Sequence, residues 1–327
     1  MTSLDEHPPT QLLDPEFTAV VQGFPPLQFS DPAAQRAAFG AARATMDAPP
    51  RSRGTSLALA DDVVSADGYR VPLRIHLSDN RRHDAPTLIW MHGGGYVVGS
   101  ADEDDALCAH LAARLGIGVV SVDYRLAPEH AFPRGFEDCH SVALSVVGER
   151  PPGLRALGNG PVIIGGASAG AGLAAAVALR FRDEGRPGLN GQILLYPFID
   201  STTSSQSMRD LANSPIFNAR DAGHCWDHYL GERRHNPPEY GSPSAAQDLT
   251  ALPPALVVAA GLDCLHDEAV DYAIRLRRAG VPTELHSFAG VPHGFTGVAP
   301  WTRSSRRAVG GVLDAIRRFT DTTDSVD

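Results

Sequence analysis

Short apolar strands separated by helical stretches recur from residue 87 onward, and this alternation constrains the fold more than any other feature of the sequence. Buried strands are read at 87–91, 118–122, 161–165, 192–196, 255–260 and 283–288. Helices near 104–115, 135–147, 169–182 and 267–279 lie between most of them, and a last helix runs near 303–319. Strands that are apolar on both faces and joined through helices imply an α/β fold, with a mostly parallel central sheet flanked by helices. Ahead of them, residues 56–65 and 69–77 alternate polar and apolar side chains around Asp67-Gly68. That dipeptide suits a type I′ turn, so an antiparallel hairpin is expected to lead into the sheet.

Two stretches break the rhythm. In residues 1–50, prolines 8, 9, 15, 25 and 26 punctuate a short helix near 14–22. A second helix is expected to open at Ser30 as its cap, with Asp31 and Pro32 in the first turn, and to run to about Met46 before Pro49 and Pro50 stop it. Residues 200–252 separate two strands by about fifty positions rich in Ser, Asn, Pro and aromatics. A structureless loop of that length is rare inside a compact domain, so an inserted helical lobe is expected, with 221–230 as one of its helices.

Composition removes several functions. The 327 residues carry a net charge of −10, which argues against a long phosphate-backbone footprint and hence against a nucleic-acid partner. All 28 basic residues are arginine. Without lysine there is no Schiff base, no P-loop lysine and no kinase lysine. The opening MTSLDEHPPT lacks an apolar core for a signal peptide, and no apolar run approaches the ~18 residues of a membrane span. Cys108, Cys139, Cys225 and Cys264 are widely spaced, which suits free thiols in a reducing cytoplasm rather than disulfides or a zinc site.

In an open parallel sheet, ligands bind beyond the carboxyl ends of the strands. Four notable segments fall there. The strand near 162–164 runs into Gly165-Gly166-Ala167-Ser168-Ala169-Gly170 and then a helix, a G-x-S-x-G nucleophile elbow in the right context. A tight Gly/Ala helix start is the plainer alternative. A phosphate cradle is excluded, since G-x-G-x-x-G does not fit and Walker A needs lysine. The strand 87–91 ends in His92-Gly93-Gly94-Gly95, a tetrapeptide that 13 His and 32 Gly would produce by chance only about 0.01 times. Its glycines can bring several N–H groups to one point, as a developing oxyanion requires. The last two segments are Gly261-Leu262-Asp263 and Val291-Pro292-His293-Gly294. Serine, acid and histidine thus run 168, 263, 293, the chain order of this fold, with His293 as base and Asp263 as its orienting partner.

Rival groups take plainer readings. Asp267 and Glu268 lie a turn into the next helix, and His286 lies mid-strand. His224 and His228 share a helix face but lack the glutamate of a zincin, so no metal site is expected. The acidic run Asp102 to Asp105 suits a helix N-terminus, and Trp226, Tyr229 and Phe217 suit the inserted lobe's own core, with a pocket role open to any of them.

Together these motifs resemble the hormone-sensitive-lipase-like branch of the α/β-hydrolases, the bacterial family IV carboxylesterases. Between Pro86 and Phe295 the matching residues also include Asp123-Tyr124-Arg125-Leu126-Ala127-Pro128-Glu129-His130, Ser242-Pro243, Leu252-Pro253-Pro254, Asp263-Cys264-Leu265-His266-Asp267-Glu268 and His293-Gly294-Phe295. The resemblance implies the α/β-hydrolase fold, catalytic Ser168, Asp263 and His293, and an oxyanion hole from the N–H groups of Gly94, Gly95 and Ala169, with Gly93 a further candidate. It implies a helical cap from residues 1–50 and about 200–250, on a catalytic domain spanning 51–327. It further implies hydrolysis of short- to medium-chain acyl esters through an acyl-enzyme, with no cofactor and often as a homodimer. Three positions depart from the pattern: Ala167 stands where Asp or Thr usually precedes the serine, Ala171 replaces a glycine, and Cys264 replaces the proline after the acid. The same triad could serve an amidase, lactonase or acyltransferase. The scaffold could also serve a ligand-binding protein without catalysis.

Overall fold

The computed structural model describes residues 12–44 and 53–321. Eight strands form one sheet: β1 (Thr55–Val64), β2 (Arg70–Ser78), β3 (Thr87–Met91), β4 (Gly118–Val122), β5 (Val162–Ala167), β6 (Leu189–Leu195), β7 (Ala255–Leu262) and β8 (Thr283–Pro292). Their spatial order is β1-β2-β4-β3-β5-β6-β7-β8. The β1–β2 and β2–β4 pairs are antiparallel, and every later pair is parallel. Strand order reverses around β3, which has β4 on one side and β5 on the other. The carboxyl ends of β3 and β5 therefore flank a topological switch point, where such sheets bind ligands.

Ten α-helices accompany the sheet among the described residues: α1 (Thr18–Gly23), α2 (Pro32–Ala44), α3 (Asp105–Leu115), α4 (Arg134–Val147), α5 (Ala169–Asp183), α6 (Gln206–Asp210), α7 (Ala219–Leu230), α8 (His266–Arg278), α9 (Phe295–Val298) and α10 (Arg303–Thr320). Because β3 is buried along its whole length, both faces need cover. Ile89 and Met91 pack with residues of α4, α5 and α8, whereas Leu88 and Trp90 pack with Cys108 and Leu111 of α3 and Ala308 and Val312 of α10. Burying alternate residues on opposite faces explains why the central strands read as continuous apolar runs rather than alternating ones. None of the helices among the described residues is long and apolar enough to cross a membrane. All four cysteines are free and buried.

Two local expectations need correction. At the hairpin, Gly68 N–H donates to the Ser65 carbonyl at 2.9 Å and Ser65 N–H to the Tyr69 carbonyl at 2.8 Å. Gly68 has φ 88°, and Asp67 is not among the residues of positive φ. The connection is a three-residue loop, a type I turn closed by a left-handed glycine, not a type I′ turn. At α2 the cap is Asp31 rather than Ser30: its Oδ1 accepts from Ala34 N–H at 3.0 Å, and Pro32 opens the helix. The expected end of that helix at Met46, and Pro49 and Pro50 beyond it, lie outside the described residues.

The interval 200–252 contains α6, α7 and short 3₁₀ turns, as a helical insertion should. Helix α7 starts where Asn218 Oδ1 accepts from the N–H groups of Arg220 and Asp221. Its Trp226 and Tyr229 are buried against Tyr96, with the two tyrosine rings stacked at 4.0 Å. The N-terminal segment is held by Arg36, which donates to the carbonyls of Val97 and Ala127 at 2.7 and 2.6 Å and pairs with Glu129.

Candidate active site

Ser168 follows the last residue of β5 with φ 54° and ψ −118°, in the left-handed half of backbone space that L-residues rarely adopt. The turn is held by Ser168 N–H donating to the Leu195 carbonyl at 2.9 Å and by the Ser168 carbonyl accepting from Gly172 and Phe198. Its neighbours must be small: a Cβ on Gly170 would lie 2.1 Å from the Met91 carbonyl oxygen.

His293 leaves the end of β8 and Asp263 the end of β7. His293 Nε2 lies 2.8 Å from Ser168 Oγ, and Nδ1 lies 2.6 Å from Asp263 Oδ2. All three side chains are buried, Asp263 completely. The second carboxylate oxygen of Asp263 accepts from Leu265 N–H at 3.0 Å, which leaves Oδ2 aimed at the ring. Tyr196 and Phe217 flank the imidazole, with ring centroids 5.1 and 5.0 Å away.

On the β3 side, Gly94 and Gly95 have φ of 114° and 60°. A Cβ on Gly94 would sit 2.1 Å from the Val98 carbonyl oxygen, so no other residue fits this turn. The Gly94 carbonyl accepts from Val97 and Val98, which fixes the loop. Among the described residues, the N–H groups of Gly94, Gly95 and Ala169 have no hydrogen-bond acceptor. Gly93 makes the closest approach to the elbow, where its Cβ would lie 3.3 Å from the Ala167 carbonyl oxygen and 3.5 Å from Ser168 Cβ. Gly93, Gly94 and Gly95 border a cavity of about 280 Å3 whose lining includes Ser168, His293, Tyr196, Phe29 and Phe217.

Rival residues fall elsewhere. Glu268 accepts from the N–H groups of Ile199 and Asp200, and its burial pushes the carboxyl pKa well up. Asp267 bonds to His266 and to Ser207 N–H, His286 faces Glu284, and His228 bonds the Phe29 carbonyl at 3.1 Å. The acidic run does more than sit at a helix start: Asp105 forms a two-pronged pair with Arg74, and Asp104 accepts from the Trp90 indole at 2.7 Å. Of the departures from the family pattern, Ala167 lines the cavity, Ala171 is fully buried, and the Cys264 thiol reaches the Phe217 carbonyl at 3.8 Å.

Sequence reasoning missed Leu27, Phe29, Phe39, Ile216 and the carboxylates Glu103 and Asp104 as cavity wall. It also missed Tyr196, although that residue follows β6 at a carboxyl end, where the strand-end rule could have found it.

A family model described as an alpha/beta hydrolase fold matches residues 88–297. The chain is similar to the esterase LipI of Mycobacterium tuberculosis (strain ATCC 25618 / H37Rv), 37% identical over 235 residues, which cover 72% of this chain and 73% of that protein. It is similar to the carboxylesterase NlhH of the same strain, 34% identical over 276 residues, covering 80% and 83% respectively. Among solved structures, one described as a bacterial heroin esterase superposes with a TM-score of 0.89 at 37% identity, covering 95% of this chain and 99% of that one.

Proposed function

The chain belongs to the hormone-sensitive-lipase-like branch of the α/β-hydrolase family, and on that premise we propose that it is a serine carboxylesterase acting on short- to medium-chain acyl esters. The observation that carries this reading is the continuous hydrogen-bonded relay from Asp263 through His293 to Ser168, at 2.6 and 2.8 Å, on the wall of a mostly apolar cavity.

In the proposed cycle Ser168 Oγ attacks the ester carbonyl while His293 Nε2 takes its proton. Asp263 Oδ2 accepts from Nδ1–H, holding the ring in the useful tautomer and balancing the imidazolium charge. The oxyanion forms where the N–H groups of Gly94, Gly95 and Ala169 converge, donors already oriented by the glycine turn and the helix start. Collapse expels the alcohol, which receives the proton from His293 Nε2. Water then attacks the acyl-enzyme, with His293 again as base, and Ser168 is released with the carboxylic acid.

We assign the cap role to residues 12–44 and about 200–250, because Phe29, Phe39, Ile216 and Phe217 from these segments wall the cavity opposite the strand ends. The four free, buried thiols support action in a reducing cytoplasm.

The reading is tested by assaying aryl esters from acetate to dodecanoate beside Ser168→Ala. Short esters should be cleaved with a burst of alcohol, and the variant should lose on the order of 10⁶-fold in kcat. Equal inertness of both proteins across the panel would overturn the proposal.

A further inference from the structure

Tyr196 has φ 36°, a left-handed backbone that a bulky side chain rarely adopts and that persists only where its surroundings hold it. It also precedes Pro197, and the residue before a proline favours extended backbone. Two hydrogen bonds fix the chain here, at the end of β6. The Tyr196 N–H donates to the Val258 carbonyl on β7 at 2.6 Å, and the Leu195 carbonyl accepts from Ser168 N–H at 2.9 Å. The strained turn thus lies between the strand that carries Ser168 and the strand that leads to Asp263.

The phenol reaches the segment that carries His293. Tyr196 Oη and Thr296 Oγ1 share a hydrogen bond of 2.6 Å, both residues are buried, and Thr296 lies three positions past the histidine. Burial pushes the phenol pKa above its ordinary value, so the hydroxyl keeps its proton. Between its two anchored ends, the ring meets the His293 imidazole edge to face with centroids 5.1 Å apart. The relay bonds run through Nδ1 and Nε2, along the line from Asp263 to Ser168. They do little to stop the imidazole tilting about that line, so packing has to stop it. A ring tied at its far end resists the tilt better than one that can shift.

We propose that Tyr196 is a positioning residue of the relay: its hydroxyl, tied to Thr296, holds its ring against His293 so that Nε2 stays on Ser168 Oγ through both proton transfers. This role rests on the esterase reading of the same site. Tyr196 itself exchanges no proton with the substrate.

The test compares the unmodified protein with Tyr196→Phe, Thr296→Val and the double variant. Besides ester turnover, each is treated with a para-nitrophenyl alkylphosphonate, which forms a bond from Ser168 Oγ to phosphorus and releases para-nitrophenol. The end point counts intact sites, and the rate reads proton removal by His293 without any ester having to turn over. Each single variant should lose roughly tenfold in kcat and in labelling rate per site, with KM changed by less than about twofold. The double variant should lose no more than the worse single one, because both substitutions remove the same bond. Melting by circular dichroism follows stability separately. Full kcat and labelling rate per site in Tyr196→Phe overturn the proposal, whatever happens to the melting temperature. So do losses that multiply in the double variant, or a loss confined to KM. Labelling that slows as expected while no ester is cleaved sinks only the esterase reading. Ester turnover that the variants leave untouched sinks only the role of Tyr196, and an unmodified protein inert to phosphonate and esters alike sinks both.

Discussion

On the sheet side of the cavity, each group of the proposed reaction sits within a few residues of a strand end. Ser168 follows β5, Asp263 follows β7, His293 follows β8, and the Gly93–Gly95 turn follows β3. On the facing side the wall is made of Leu27, Phe29, Phe39, Ile216 and Phe217, from segments that reach the site by long-range attachment. Arg36 ties α2 to the loop after Gly95, His228 holds the Phe29 carbonyl, and the Cys264 thiol meets the Phe217 carbonyl. The sheet side works through backbone geometry, where a methyl on Gly94 or Gly170 would collide with main chain. The facing side works through apolar volume, which many side chains can supply. Changes on the first side should therefore act on kcat, and changes on the second on which ester fits.

The sharpest attempt to break this contrast is Asp263→Asn. Asparagine keeps the shape but offers the imidazole the wrong hydrogen-bonding partner, so kcat should fall about 10⁴-fold with little change in KM. A stopped-assay comparison across the ester panel checks it; a loss confined to KM would place Asp263 outside the relay. On the facing side, Phe217→Ala removes a buried ring that packs on Phe29, Phe198 and His293. The ratio of kcat/KM for octanoate over butanoate esters should rise about tenfold, as an enlarged pocket admits longer chains. A uniform drop for all chain lengths would mean that the ring positions His293 instead of shaping the pocket.

The smallest effect separates acid failure of the scaffold from acid failure of the relay. His140, on α4, is buried beside Phe136 and Phe181, with Glu184 at 3.5 Å and Arg180 and Arg186 nearby. Burial lowers its pKa from 6.5 to about 4, against the opposing pull of Glu184. Between those values the unfolded chain binds the proton and the folded one does not, so stability falls as pH drops from 6.5 towards 4. In His140→Gln that slope should flatten, moving the acid-unfolding midpoint to lower pH by circular dichroism. An unchanged midpoint would show that other groups set the acid limit.

Much of the scaffold is legible in the sequence because strand and helix periods are local. β3 and β4 occupy the residues expected from their apolar runs, and the other four central strands differ by a few residues at their ends. The hairpin turn is not legible in the same way, because Asp67-Gly68 permits more than one loop, and the pairing of Ser65 with Tyr69 decides between them. The α2 cap falls one residue later than expected because Ser30 and Asp31 are both good caps that sequence alone does not rank, and it is Asp31 that accepts from Ala34 N–H. Asp102 to Asp105 read as one acidic run, yet adjacent carboxylates in it meet different strands. Asp105 pairs with Arg74 from β2, and Asp104 accepts from Trp90 of β3.

By itself, the sequence determined the strand–helix order, the glycine turn after β3, the serine elbow after β5 and the chain order of serine, acid and histidine. These are properties of short segments, set by side-chain period and by which residues tolerate left-handed backbone. The tertiary structure alone decided the distances between those segments and the aromatic wall facing them. Those depend on how elements separated by tens to hundreds of residues pack together, and no local preference encodes such packing.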